Sequence, residues 1–309
     1  MTAHALRSRT LAFTALAFAL LAAAAGVARR MRVADDRPYD VAFVPSAAAQ
    51  RWLSLGHPTL AANLTWLRTV QYVGERRGDE RGWDKLRPLL EVITDLDPRH
   101  GYAYQVGANF LSSAGLVADA NAILEKGARN VPDRYILPFH RAVNAFLYDG
   151  DHVLAGRWFE VAARTPGAPA HLRDYVLAQY VKGNAADAAI SFLRHLESEA
   201  EDDESRRSIH GQILRATLER DAAALEAAVK RYRERVGFPP ATLEQLVFEG
   251  LVPAIPPDPF GGSYRLDAEG RVRSTVDPRR FERPPAGTDR DEAMKGARMR
   301  LKALEEPAR

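Results

Sequence analysis

The chain has no cysteine among its 309 residues. Disulfides, thiolate metal sites and cysteine nucleophiles are therefore excluded. A dominant charge sign is also missing: 43 Lys and Arg are interspersed with 40 Asp and Glu, leaving a net +3. That balance aims no strong field at nucleic acid, and no nucleic-acid partner is expected. The eight histidines are scattered, and none falls in a His-Glu-x-x-His or equivalent metal spacing. A phosphate-binding glycine loop and a Gly-x-Ser-x-Gly elbow are absent as well. No catalytic, cofactor-binding or metal-ligating residue is nominated, and neither an enzyme activity nor a small-molecule substrate is expected.

What is present begins with an apolar run. Leu11 to Ala28, LAFTALAFALLAAAAGVA, is 18 residues without a charge, with Arg7 and Arg9 before it and Arg29, Arg30 and Arg32 after it. That length is near the minimum for a helix crossing the hydrocarbon core. Residues 1–10 are read as a tail, 11–28 as an uncleaved transmembrane anchor and 29–48 as a linker containing Pro38 and Pro45. The alternatives are a cleaved signal with Gly26-x-Ala28 as its small-residue site, and a buried helix. The Ala- and Arg-rich composition points to a bacterium. The expected location is the inner membrane, single-pass, with residues 49–309 outside the cytoplasm. The arginines after the span favour the opposite orientation under the positive-inside rule.

The body of the chain carries a repeat. Pro98, Pro132 and Pro166 are 34 residues apart, and a fourth step lands on Ala200. Eight residues before these marks stand Leu90, Leu124, Trp158 and Phe192; twelve before stand Leu86, Ala120, Leu154 and Ala188. These columns belong to the apolar face of a second helix. Seventeen before stand Arg81, Gly115, Asp149 and Gly183, with Gly82 and Gly150 one position off. Glycine there permits the positive φ of a tight interhelical turn. Twenty-four before stand Gly74, Ala108, Ala142 and Val176, mostly small, which lets a first helix approach its partner. The proline stops each second helix. One such pair cannot bury its apolar face alone, but a stack can.

These columns resemble the tetratricopeptide repeat family, best in GYAYQVGANFLSSAGLVADANAILEKGARNVPDR, residues 101–134. The repeats would run 67–100, 101–134, 135–168 and 169–202. The first has an irregular turn at ERRGDERG, and the alanine expected five residues before the closing mark is Ile93, Gly127, Val161 or His195. The resemblance implies a mostly α fold, an α-solenoid of about four helix pairs within residues 49–236. It also implies a partner-binding groove along the first helices, at Arg68, Gln71 and Glu75, then Tyr102, Gln105 and Asn109, then Phe139 and Arg173. A mixed polar and aromatic lining suits an extended protein segment held through amide and aromatic contacts. Trp158 is expected to be buried between repeats.

Flanking segments extend the array. SAAAQRWLSLGHPTLAANLTWLRTVQYVGE predicts a capping helix and the first repeat helix, with Leu60, Leu64, Leu67 and Val70 on one face. Trp52, Trp66 and Tyr72 are alternatively partner contacts near the membrane. SRRSIHGQILRATLERDAAALEAAVKRYRERVG predicts one or two capping helices, and the acidic run Glu197 to Glu204 reads as a solvated loop.

From Gly237 the texture changes, and residues 237–277 read as a separate small module. Thr242 and Gln245 have capping-box spacing, and Gly250 is placed to end the helix. SYRLD and RVRST flank Ala-Glu-Gly, a three-residue hairpin with Gly270 left-handed. FPPATLEQLV through LVPAIPPDPFGGSY resembles the C-terminal part of type II secretion major pseudopilins, although the pseudopilin N-terminal signature is absent. Asp258 and Asp267 are read as turn and surface residues, with a calcium loop as the alternative. Residues 278–309 read as a charged tail.

The reading is a membrane-anchored helical-repeat scaffold for protein–protein interaction in the cell envelope, partnered by other envelope proteins or peptides. The second hypothesis is an accessory subunit of a pilus or secretion-like machine, docking through residues 237–277. The third is an envelope enzyme that uses the repeats to deliver substrate.

Overall fold

A computed structural model describes residues 18–20, 22–23, 44–75, 83–267 and 269–281. The chain is mostly helical, with one small antiparallel two-stranded sheet. The helices are α1 (Ala47–Leu53), α2 (Pro58–Glu75), α3 (Leu86–Leu96), α4 (Gly101–Ser113), α5 (Val117–Asn130), α6 (Ile136–Leu147), α7 (His152–Arg164), α8 (Leu172–Lys182), α9 (Ala186–Glu199), α10 (Asp203–Val236) and α11 (Glu244–Phe248). The strands are β1 (Tyr264–Leu266) and β2 (Val272–Ser274). Among the described residues no helix is long and apolar enough to cross a membrane. The anchor expected at residues 11–28 lies outside the described residues apart from 18–20 and 22–23, and the irregular turn at 76–82 lies outside them as well.

From α2 to α10 each helix lies against its sequence neighbour. The other contacts are mainly between every second helix, as in α4 with α6 and α8 with α10. Such nearest-neighbour packing follows from short connections, which fold each helix back along the previous one. The stops fall where the prolines stand. α3, α5 and α7 end with caps at Asp97, Val131 and Thr165, each directly before Pro98, Pro132 or Pro166. The residue before a proline is biased away from helical backbone, so the helix ends there. α9 stops at Glu199 without a proline.

The glycine column is corrected in one unit. Gly115 and Gly150 are left-handed, at φ +82° and +63°. In the fourth unit the left-handed residue is Asn184, at φ +55°, while Gly183 is not. Gly183 is needed for space instead, because a Cβ there would stand 2.8 Å from Val153. Asparagine tolerates the left-handed region better than other side chains, so the turn is made one residue later.

Two cores fill the helical array. Leu86, Leu90, Ile93, Tyr104, Leu111, Ile123 and Leu124 belong to the first. Phe159, Val176, Tyr180, Ile190, Phe192 and Leu193 belong to the second. Phe159 is 1% exposed, whereas Trp158 is only half-buried, with the Arg141 guanidinium 5.6 Å from its ring centroid. The burial expected of Trp158 thus belongs to its neighbour.

The segment after the repeats is a single helix, α10, rather than two. Asp202 caps it by accepting from the Ser205 N–H at 2.7 Å, and Gly237 closes it at φ +93°. Asp203 and Glu204 occupy its first turn and Arg233 and Arg235 its last, each sign favoured by the helix dipole. Gly211 meets nothing on its missing side chain and does not interrupt the helix. The acidic run is therefore mostly helical: Glu197–Glu199 end α9, and only Ala200, Glu201 and Asp202 connect the two helices. At 34 residues α10 is about 50 Å long. Its first half supplies Ile209, Ile213 and Ala216 to the second core; its second half supplies Leu218, Leu225, Val229 and Tyr232 to a third.

The third core holds the C-terminal module, through Leu243, Leu246, Tyr264 and Val272. The hairpin pairs Tyr264 with Ser274 and Leu266 with Val272, turning through Gly270 at φ +79°. Gly250, at φ +67°, ends α11 as expected. The capping box takes a different form: Gln245 accepts from the Ala241 N–H at 2.7 Å, and α11 begins only at Glu244.

Candidate partner-binding surface

The groove positions sit on the first helix of each pair. Gln71, Gln105, Phe139 and Arg173 occupy one column at 34-residue spacing, on α2, α4, α6 and α8. Gln71 is exposed; Gln105, Phe139 and Arg173 are half-buried. Arg68 is exposed on α2 and borders a cleft between α1 and α2. Glu75 closes α2, and its side chain lies outside the described residues. Tyr102 is 55% exposed and stands edge-on to Trp66, with ring centroids 5.8 Å apart. Asn109 is exposed, two turns beyond Tyr102.

Phe139 is less available than a free lining residue. Its ring stands edge-on to Phe159 at 5.5 Å and to Tyr175 at 6.3 Å. Tyr175 stacks on Phe159 at 5.4 Å and remains 44% exposed. The aromatic surface of the later units is therefore carried by Tyr175. The repeat phase missed it because it lies two residues beyond Arg173, off the chosen column. Arg173 turns its Nε to the Ala170 carbonyl at 3.1 Å and borders a cleft of about 440 Å³ with Glu199, Glu201 and Asp202.

Amide chemistry also operates inside the array. Asn144 donates to Asn121 at 2.9 Å and to Ser112 at 3.1 Å, tying α6 to α5 and α4. Lys126 on α5 reaches back to α3, donating to Glu91 and Asp95 at 2.6 Å and to Thr94 at 2.8 Å. Burial lowers its pKa, but the bonds to Asp95 and Glu91 outweigh that and raise it overall. Such contacts hold one pair in register with the next and use polar groups that a surface reading would assign to ligands.

Asp258 and Asp267 of the C-terminal module are committed to the fold. Asp258 is buried; it accepts from Ser274 and from the Phe260 N–H at 2.9 Å. Asp267 accepts from Arg273 at 2.6 Å and from the Glu269 and Arg271 N–H groups. Burial pushes the Asp267 pKa up, but these bonds, led by Arg273, lower it overall. No group of three metal-ligating side chains occurs among the described residues. On the surface of the module Phe238 is 61% exposed and Phe248 89%.

No protein-family model matches the chain, and no curated protein matches it.

Proposed function

We propose that the protein is a tetratricopeptide-like α-solenoid scaffold of the bacterial cell envelope, anchored in the inner membrane by residues 11–28, with its repeat domain in the periplasm. Its first helices hold an extended segment of another envelope protein. The observation that carries this reading is the agreement between the 34-residue period and the helix ends, which places Gln71, Gln105, Phe139 and Arg173 at equivalent positions of successive helix pairs. Stacked pairs of this kind form extended binding surfaces. Exposed Tyr102 and Tyr175 add aromatic anchors of the kind that dominate binding energy.

The test is a photo-crosslinking aromatic amino acid placed at Tyr102 of the full chain in its native membrane. A discrete adduct with one envelope protein is expected. It should be lost when Gln105→Ala and Asn109→Ala are combined, a change of about 1–3 kcal/mol if both amides are desolvated in the complex. A crosslinking pattern unaltered by the double change removes the groove.

A second reading rests on Phe238 and Phe248. Under it the protein is an accessory subunit of a pilus or secretion-like machine, docked through its C-terminal module. The same crosslinker at Val247, beside Phe248, then captures the partner and the groove positions do not.

A further inference from the structure

α2 is apolar on two opposite faces. Ala62, Thr65, Thr69, Tyr72 and Val73 turn inward and are buried. Leu60, Leu64, Leu67 and Val70 were expected to share a face, and they do, but it points away from the fold and leaves them 44–60% exposed. Spacings of three and four residues keep these four on one stripe. On α1, Leu53 is 64% exposed and borders the same cleft as Leu60 and Leu64, and beside it in the chain Trp52 and Leu55 are 80% and 87% exposed. Among the described residues seven large apolar side chains are thus exposed between Trp52 and Val70, against three between Val73 and Val236. A folded chain rarely leaves so concentrated an apolar patch in water.

We infer that this α1–α2 face lies in the interfacial layer of the lipid bilayer, so that the helical array is held against the membrane and does not hang free from it. Gln71 is exposed on the same stripe, so on this inference it faces the lipid headgroups and the groove begins at α4. The inference rests on the proposed anchor at residues 11–28. Three observations choose lipid over a protein partner. The patch begins soon after the apolar run, and the residues from Ala28 to Val44 span at most about 58 Å, so the face stays within reach of the bilayer. Phe18 and Leu20 within that run are themselves 76% and 63% exposed, so neither is buried against the helical array. From Val44 to Gly74 there is no acidic residue, while Arg51 and Arg68 flank the stripe and Arg29, Arg30 and Arg32 precede it. A face with leucines and a tryptophan, free of acid and edged by arginine, suits an anionic lipid surface.

The absence of cysteine makes the test direct. Single variants Leu64→Cys and Leu60→Cys, with Val161→Cys as a control on α7, are nitroxide-labelled in the full chain. The chain is then reconstituted into phosphatidylcholine–phosphatidylglycerol vesicles. The label at 64 and at 60 should show an oxygen-to-nickel-chelate accessibility ratio several-fold above that at 161. A ratio equal to the control overturns the inference. So does low access to both reagents with spin–spin broadening between copies, because a second copy would then cover the face. Alkaline extraction separates the two claims. A chain extracted by alkali with immersed labels loses the anchor and keeps this face. A chain retained with aqueous labels keeps the anchor and loses the face.

Discussion

A Cβ built on Gly127 would stand 2.7 Å from Cγ of the Tyr104 ring. The family resembled by the repeats has alanine at this position; here the tyrosine fills the space from the facing helix, and its hydroxyl accepts from Asn130 at 2.8 Å. The overlapping atoms are the near end of the ring, close to the backbone, and cannot swing away. Gly127→Ala should therefore destabilise the chain despite the better helix propensity of alanine. Overpacking costs about 1–3 kcal/mol, against a propensity gain of about 1 kcal/mol. Chemical unfolding followed by circular dichroism reads the difference, and adding Tyr104→Ala should abolish the penalty of the alanine.

Phe159 and Trp158 separate two phases of the third repeat. Phe159 is sealed between Phe139, Phe146 and Tyr175, so Phe159→Ala should cost about 3–5 kcal/mol. Trp158→Ala should cost clearly less, since that ring is only partly covered and its cation partner is already bonded to Glu125. Equal losses for the two substitutions would mean that the observed phase is wrong.

His140 gives the array a pH dependence. Burial lowers its pKa from 6.5, because the imidazolium is poorly solvated there. The unfolded chain then binds more protons across the window below 6.5, so stability rises with pH in that window. The contribution is intact above 6.5 and is lost as pH falls from 6.5 through the folded value. Melting temperatures measured between pH 7.5 and pH 5, which bracket the ordinary histidine range of about 6.5, should show this fall. His140→Phe should flatten it.

Arg280 ties the chain after the hairpin to α10. Its guanidinium donates to Glu219 at 3.0 Å and to Glu226 at 2.9 Å, and the Phe281 N–H also donates to Glu219. Glu219 is fully buried, so removing its cation leaves an uncompensated charge. Arg280→Met should cost about 3–5 kcal/mol, while the double change with Glu219→Leu should recover much of it. Limited proteolysis of the segment after β2 should report the same order: resistant in the parent, cleaved in Arg280→Met, partly protected in the double variant.

Helix ends were the most legible part of this protein. Pro98, Pro132 and Pro166 act through their own backbone and that of the residue before them, so their effect needs no neighbour. The same holds for Gly250 and Gly270, whose positive φ is a local allowance. Where a local allowance has two candidates, sequence alone chose wrongly: Gly183 was assigned the turn that Asn184 makes, because only the approach of Val153 reveals that the glycine is needed for room. Whether α10 is one helix or two was left open for a related reason, since Gly211 costs helix propensity locally and that cost is offset by the cores that the helix packs into. Side-chain direction was the least legible. Leu60, Leu64 and Leu67 have the spacing of a core stripe, yet the core took Ala62, Thr69 and Tyr72 from the opposite face. Among the candidate site residues, Tyr102 and Asn109 are exposed, Phe139 is drawn into a ring cluster, and Tyr175 beside it is at the surface. Sequence by itself determined where helices stop and that they pair at a fixed period, because those are properties of single residues and of spacing. Which face of each helix is buried was decided only by the tertiary structure, because burial is set by the shape and proximity of the neighbouring helix, and no residue carries that information alone.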